Sequence, residues 1–412
     1  MPAGLLRAIL AATILTFAAL VHAQGATKDA APGPNDACLM CHGDAGAKAG
    51  SGKSIAVDAK KYAASVHGGM SLPCTACHDD PAVGQMPHGT VKPAQCASCH
   101  EAAVKEYAGT AHGQARKGGS SVAATCANCH GTHDIAKSSE PSSRTNHANI
   151  EATCGACHGN EEIIKQANLP GGNVAGKFHD SVHGQAMAKK TAAKDAVPTC
   201  TGCHGAHDIR AKSDSESRVS RAKSPAMCGT CHMGTKAEWE QSQHGKLRHA
   251  NVLQAPGCID CHSTHTITRH GDEKFALGVI DKCGDCHTDF AKTYRDTFHG
   301  QVTRLGFTQI ASCSSCHGAH SVLPKDNPLS KVSAQNRVAT CQQCHPKANA
   351  NFASYDPHAN RHSRASGQLL FFTGKFMDIL LLGVFSVFGV HTLLWFVRSL
   401  KAMRERGTPP KS

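Results

Sequence analysis

The pentapeptide Cys-x-x-Cys-His occurs eleven times in this 412-residue chain and uses all 22 of its cysteines. The paired thiols are Cys38 and Cys41, Cys74 and Cys77, Cys96 and Cys99, Cys126 and Cys129, Cys154 and Cys157, Cys200 and Cys203, Cys228 and Cys231, Cys258 and Cys261, Cys283 and Cys286, Cys313 and Cys316, and Cys341 and Cys344. The histidines that close them are His42, His78, His100, His130, His158, His204, His232, His262, His287, His317 and His345. Two thiols at this spacing can each form a thioether to one vinyl group of the same porphyrin, and the next residue is then held beneath the iron as proximal ligand. A structural zinc site needs four N/S ligands and no fixed adjacent histidine. A disulfide framework has no use for that histidine either. The spacing therefore encodes eleven covalent haem c groups, and any fold must be built around them.

Composition agrees with such a fold. Aromatic residues make up only 5% of the chain, poor material for the interior that this length would ordinarily bury. Porphyrins would supply that interior, wrapped thinly by polypeptide. The expected fold class is mainly α and irregular: a haem-dominated array with short helices, long connections, little or no sheet, and one C-terminal transmembrane helix. The formal charge of +12 does not indicate nucleic acid. Two propionates on each of eleven haems more than cancel it, and no basic run with interleaved aromatics occurs in the part expected to be exported.

Motif spacing shows a repeat within the repeat. Motifs starting at 38, 96, 154, 228, 283 and 341 each open a module, and those at 74, 126, 200, 258 and 313 supply the second haem of the first five. The sixth module is cut short. Histidines outside the motifs recur at matched places. One lies between the two motifs of each module, generally before glycine: His67, His112, His183, His244 and His299. Another lies three residues past the second motif's histidine, in the strings HGTHDI, HGAHDI, HSTHTI and HGAHSV: His133, His207, His265 and His320. Module one reads HDDPAV there, leaving His88 as its only replacement, and His358 or His362 fills the first role in module six. Taking His358, these give eleven distal candidates for eleven irons. Imidazole suits haem iron, whereas Met70, Met86 and Met233 follow no repeat. The histidine three residues past the proximal one is expected to ligate a neighbouring haem and so cross-link the array. Irons with two imidazole ligands have no position for substrate and fall in the low-potential range.

The two ends point to export and anchoring. Met1 to Ala23 reads as a signal peptide, with Arg7 before an apolar stretch and a small-residue site at Val21-His22-Ala23. Residues 24–368 would form the periplasmic haem domain, 369–398 a transmembrane helix and 399–412 a cytoplasmic tail. Ile379 to Val397 is long enough to cross the hydrocarbon. Arg398, Lys401, Arg404 and Arg406 follow at once, which puts the C-terminus in the cytoplasm of a single-pass inner-membrane protein. His391 lies inside the apolar span, where an ionisable side chain is costly and usually functional.

The strings CHGTHDI and CHGAHDI, with the alternating xHG histidines, resemble the class III-like multihaem cytochromes c of anaerobic metal- and sulfur-respiring bacteria. The resemblance covers roughly residues 38–350 and implies a haem-dominated fold, bis-histidine ligation and electron transfer. The C-terminal segment looks like one helix of a quinol-linked cytochrome b domain, in which such a helix contributes a histidine to haem b. His391 matches that role. Since this chain supplies only one such helix, a partner membrane subunit would provide the others and share the haem b. The expected function is electron transfer between the quinol pool and periplasmic or outer-membrane acceptors, rather than catalysis by this chain. The alternative is a reductase of nitrite, hydroxylamine or a sulfur oxyanion with one open-site haem, which would need an iron lacking its distal ligand.

Overall fold

A computed structural model describes residues 33–85, 87–189 and 196–406. The signal-peptide reading, Met86 and the last six residues of the tail lie outside them. The described residues are helical and irregular with no sheet, and their only strand-like pairing is an isolated bridge between Lys48 and Ser54. The chain divides into two compact units: residues 1–173 with 192–210, and 174–191 with 211–412. The first holds the motifs from Cys38 to His204, and the second those from Cys228 to His345.

The five complete modules share one local plan. A short helix ends at a Ser or Thr with extended backbone, and a second short helix starts immediately. The pairs are Ala59–Ala64 with Val66–Gly69, Glu101–Ala108 with Ala111–Lys117, Val174–Asp180 with Val182–Ala188, Met233–Gln241 with Gln243–His249, and Thr288–Asp296 with Phe298–Arg304. The break residues are Ser65, Thr110, Ser181, Ser242 and Thr297, with ψ between 162 and 166°. Each caps the second helix by accepting from the N–H of the glycine three residues on, at 2.9 to 3.2 Å. Such a cap is worth about 1 kcal/mol. The distal-candidate histidine is always the second residue of the capped helix, one position before that glycine.

The motif helices are equally short. Four second motifs form five-residue helices that end on the proximal histidine: Cys126–His130, Cys200–His204, Cys258–His262 and Cys313–His317. The following residue has positive φ, +91° at Gly131, +82° at Gly205 and Gly318, and +63° at Ser263. Glycine adopts this conformation without a Cβ clash, and Ser263 adopts it under strain.

Polypeptide alone makes little core. Its buried hydrophobic residues are Ile150, Met187, Ala255, Ile280, Ala291, Tyr294, Ala348 and Ala353, half of them alanines. The buried polar residues are all Ser or Thr, the five caps among them. Accessible surface is 29513 Å², against roughly 15,000 Å² for a compact chain of 43.2 kDa by the usual scaling. The exposed C-terminal helix accounts for part of the excess.

That C-terminal helix, Gln368–Arg406, has 39 residues and extends about 58 Å. Its apolar stretch has a mean hydropathy of 2.1 and none of it is buried, compatible with a single membrane pass. Arg361 pairs with Asp378 at 3.7 Å, and the Arg364 guanidinium lies 5.2 Å from the Phe371 ring centre and 5.5 Å from that of Phe372. These contacts fix how the chain enters the helix.

A ladder of facing histidines

Ten motif histidines each face a histidine from outside the motifs. In the first unit the pairs are His42 with His88, His100 with His67, His78 with His133, His158 with His112, and His130 with His207. In the second they are His232 with His183, His287 with His244, His262 with His320, His345 with His299, and His317 with His358. The remaining two site residues are placed by their own segments: His204 closes the helix Cys200–His204, and His265 lies three residues beyond His262.

Ring centres are 5.8 to 6.3 Å apart in every pair, while the angle between ring planes runs from 20 to 63°. Direct stacking would couple separation to tilt. A metal between two rings fixes the separation and leaves each ring free to rotate about its bond. An imidazole nitrogen binds metal at about 2 Å, so adding roughly 1.1 Å from nitrogen to ring centre on each side gives about 6 Å for two rings in trans. The residues therefore fit an iron held by two imidazoles. Burial first, with the facing histidine adding to it in most pairs, holds His112, His130, His133, His183, His244, His262, His299 and His317 below the ordinary histidine range. The neutral imidazole this favours is the ligating form. Several rings are also oriented through Nδ1: His42 towards the Ile55 carbonyl at 2.8 Å, His88 towards that of Gly89 at 2.9 Å, and His358 towards the Thr293 hydroxyl at 3.1 Å.

The pairing is staggered. Each xHG histidine faces the first motif of the following module, as His67 does with His100, and the GxH histidines His133, His207 and His320 face the second motif of the preceding one, as His133 does with His78. The first and last modules depart from this stagger. In the first module of this sequence His88 faces His42 of the same module. At the other end His358, rather than His362, faces His317, so it stands where GxH histidines stand and not in the xHG place that the sequence suggested.

The thiols give the order of the attachment sites. Within modules the first cysteines of the two motifs meet: Cys38 with Cys74, Cys96 with Cys126, Cys154 with Cys200, Cys228 with Cys258, and Cys283 with Cys313. Contact with Cys228 brings Cys258 down to about 7. Between modules of one unit the second motif lies near the next first motif. Burial and then Cys283 push Cys261 up to about 11, and burial followed by Cys341 and Cys344 raises Cys316. Cys77 likewise adds to the rise at Cys96, and Cys157 to that at Cys129. Inside each unit, successive attachment sites are thus neighbours in chain order.

Backbone bonds lock the ladder. The N–H of the residue before the xHG histidine donates to the carbonyl two residues past a GxH histidine: Val66 to Ile135, Ala111 to Ile209, Val182 to Ile267 and Gln243 to Val322, each at 2.8 Å. Five residues before each xHG histidine stands an aromatic that the sequence reading missed: Tyr62, Tyr107, Phe178, Trp239 and Tyr294. Its carbonyl accepts from the N–H of the capping Ser or Thr at 2.9 to 3.0 Å, and a Cβ on the following glycine would overlap that same oxygen. Tyr62, Tyr107 and Tyr294 also donate their hydroxyls to the carbonyls of Leu72, Ala124 and Ala311, each two residues before a second motif. The complete signature is aromatic-x-x-[Ser/Thr]-x-His-Gly. Three of the four tyrosines in the chain occupy it, a signal strong enough to have been seen. His147, unassigned from sequence, has a buried Nε2 without a hydrogen-bond partner among the described residues.

The family model for cytochrome c3 matches residues 66–159, a stretch that includes the motifs at Cys74, Cys96, Cys126 and Cys154. No curated protein and no solved structure matches the chain. That match, with the same motif continuing through His345 and the same facing rings recurring in both units, supports a multihaem cytochrome c that transfers electrons.

Proposed function

We propose that the protein is a membrane-anchored electron conductor carrying eleven bis-histidine haems c, and that it links the quinol pool to periplasmic or outer-membrane acceptors. Haem c supplies one-electron iron chemistry, with a potential set largely by its axial ligands. The observation that carries the reading is the staggered set of facing rings, which joins module to module. Within each unit, cysteine contacts run from one attachment site to the next in chain order, which supports conduction along the chain. His391 sits in the apolar C-terminal helix as the candidate ligand for a haem b shared with a membrane cytochrome b partner, the coupling point to quinol.

A reductase would need an iron with a free position. Module one lacks the GxH histidine and module six its second motif, so the irons of the Cys74 and Cys341 motifs are the ones to check. Their histidines face His133 and His299 at 6.2 and 6.0 Å, which favours electron transfer. The test is reduction of the c-haems by a quinol in membranes that hold the native complex. Reduction is expected in the wild type and should be abolished by His391→Ala with haem c content unchanged. Normal reduction in that variant would remove His391 from the path. A high-spin signal in the native protein would revive the reductase.

A further inference from the structure

The donor strength of an axial imidazole is set from behind the ring. When Nε2 binds the iron, Nδ1 carries the remaining proton, and a carbonyl that accepts it makes the imidazole more basic. A more basic ligand favours ferric over ferrous iron and so lowers the potential. Because Nδ1 points away from the metal, its partner comes from the surrounding chain and not from the haem that the ring ligates. Among the ten facing pairs, His42 with His88 is the only one in which carbonyls of the described residues accept from both rings. Ile55 accepts from His42 at 2.8 Å and Gly89 from His88 at 2.9 Å. The neighbouring attachment site is the reverse case. His78 closes the motif of Cys74, the thiol that meets Cys38, and its Nδ1 is buried without a hydrogen-bond partner among the described residues.

The chain around His42 is built to hold that carbonyl in place. Residues 43–57 fold back on the motif as a small hairpin in which Lys48 bridges to Ser54. Ala49 donates to the Lys53 carbonyl at 2.8 Å and Ile55 to that of Ala47 at 3.0 Å, with the chain reversing through Gly52 at a φ of +81°. The Val57 N–H then closes the hairpin onto the His42 carbonyl at 2.6 Å. No other strand-like pairing occurs among the described residues, so no other described motif is followed by this device. On the other side of the iron position, the loop that carries His88 is tied at both ends by Asp80, which accepts from Ala82 and Lys92. Haem attachment alone does not call for either segment, since the repeat manages it elsewhere without them.

We infer that the Ile55 and Gly89 carbonyls hold the iron between His42 and His88 at a lower potential than the neighbouring iron between His78 and His133. An electron therefore passes downhill from the first to the second. In that step the first iron goes from ferrous to ferric and the second from ferric to ferrous, with no proton moved and no ligand exchanged. Each carbonyl contributes about two- to tenfold of preference for the ferric state, the range for one hydrogen bond. For one electron, tenfold is about 59 mV. Ile55 acts through His42 and is a positioning residue. The inference rests on the bis-histidine ligation proposed above, and it deepens that reading by ordering two of the irons.

The experiment is an equilibrium redox titration of the full haem-loaded chain, followed by the EPR of low-spin ferric iron. His88→Ala and His133→Ala each remove one low-spin component, so subtracting each variant's titration from that of the wild type gives the midpoint of one iron. The iron lost in His88→Ala should have the lower midpoint. A midpoint equal to or above that of the iron lost in His133→Ala overturns the inference and leaves bis-histidine ligation standing. If either variant removes no low-spin component, the ligation reading itself fails. Ile55→Pro deletes the N–H that donates to Ala47 and so releases the Ile55 carbonyl from His42. It should make reduction of the first iron about two- to tenfold more favourable, leave the second unmoved and keep haem content unchanged. Ile55→Val, which retains the N–H, should titrate as wild type. An unmoved first midpoint in Ile55→Pro overturns the role of the Ile55 carbonyl. Should the proline variant fail to hold haem, the comparison of the two subtracted midpoints decides alone.

Discussion

Gly245→Ala should uncouple one haem iron of the eleven proposed and leave the other ten as they were. Gly245 is the third residue of the capped helix Gln243–His249, directly after His244. A Cβ there would overlap the Trp239 carbonyl and lie 2.6 Å from the Cα of Glu240. Ordinary carbon contacts are about 3.5 to 4.0 Å, so relief requires a shift of about 1 Å between this helix and the one before it. The obstacle is backbone, which cannot swing aside as a flexible side chain could. An imidazole nitrogen bound at about 2 Å cannot follow such a shift and stay bound. The iron affected is the one beneath His287, because His244 faces that ring at 6.3 Å. About one eleventh of the low-spin intensity in magnetic circular dichroism or EPR should become high-spin, with haem content per chain unchanged. His244→Ala should give the same spectrum. Adding His287→Ala to His244→Ala should take away no second low-spin iron, since both rings serve one site; two separate irons would lose two. An all-low-spin spectrum for Gly245→Ala, or additive losses in the double variant, would refute the steric argument or the pairing respectively.

Two further outcomes follow from local geometry. Ser263 has the positive φ that glycine holds after the other second motifs, so Ser263→Gly should raise stability by about 1 kcal/mol, within the usual range for such strain. A thermal midpoint that falls, with haem content unchanged, would show that the Ser263 side chain contributes more than the strain costs. Asp80 accepts from the N–H groups of Ala82 and Lys92, each at 3.0 Å, and so ties both ends of the loop that carries His88. Asp80→Ala should free that loop and convert only the iron beneath His42, again about one eleventh of the low-spin signal; a larger loss, or none, would contradict the pairing of His42 with His88.

How far the sequence discloses this molecule depends on which interactions are local. The cysteine motifs are legible because thioether chemistry fixes their spacing within five residues. The xHG and GxH histidines are legible because the repeat returns them at matched offsets. Which ring faces which motif is not, since His67 and His100 are separated by a whole intervening motif, and nothing in the spacing distinguishes staggered ligation from ligation within one module. Much of the determinant was nonetheless local and went unread. The aromatic carbonyl that receives the capping Ser or Thr, and the glycine that leaves room for it, set the exit angle of the ligand helix. The departures sit in the first and last modules of this sequence. His88 on an irregular loop is one, and His358 in the place of a GxH histidine is the other.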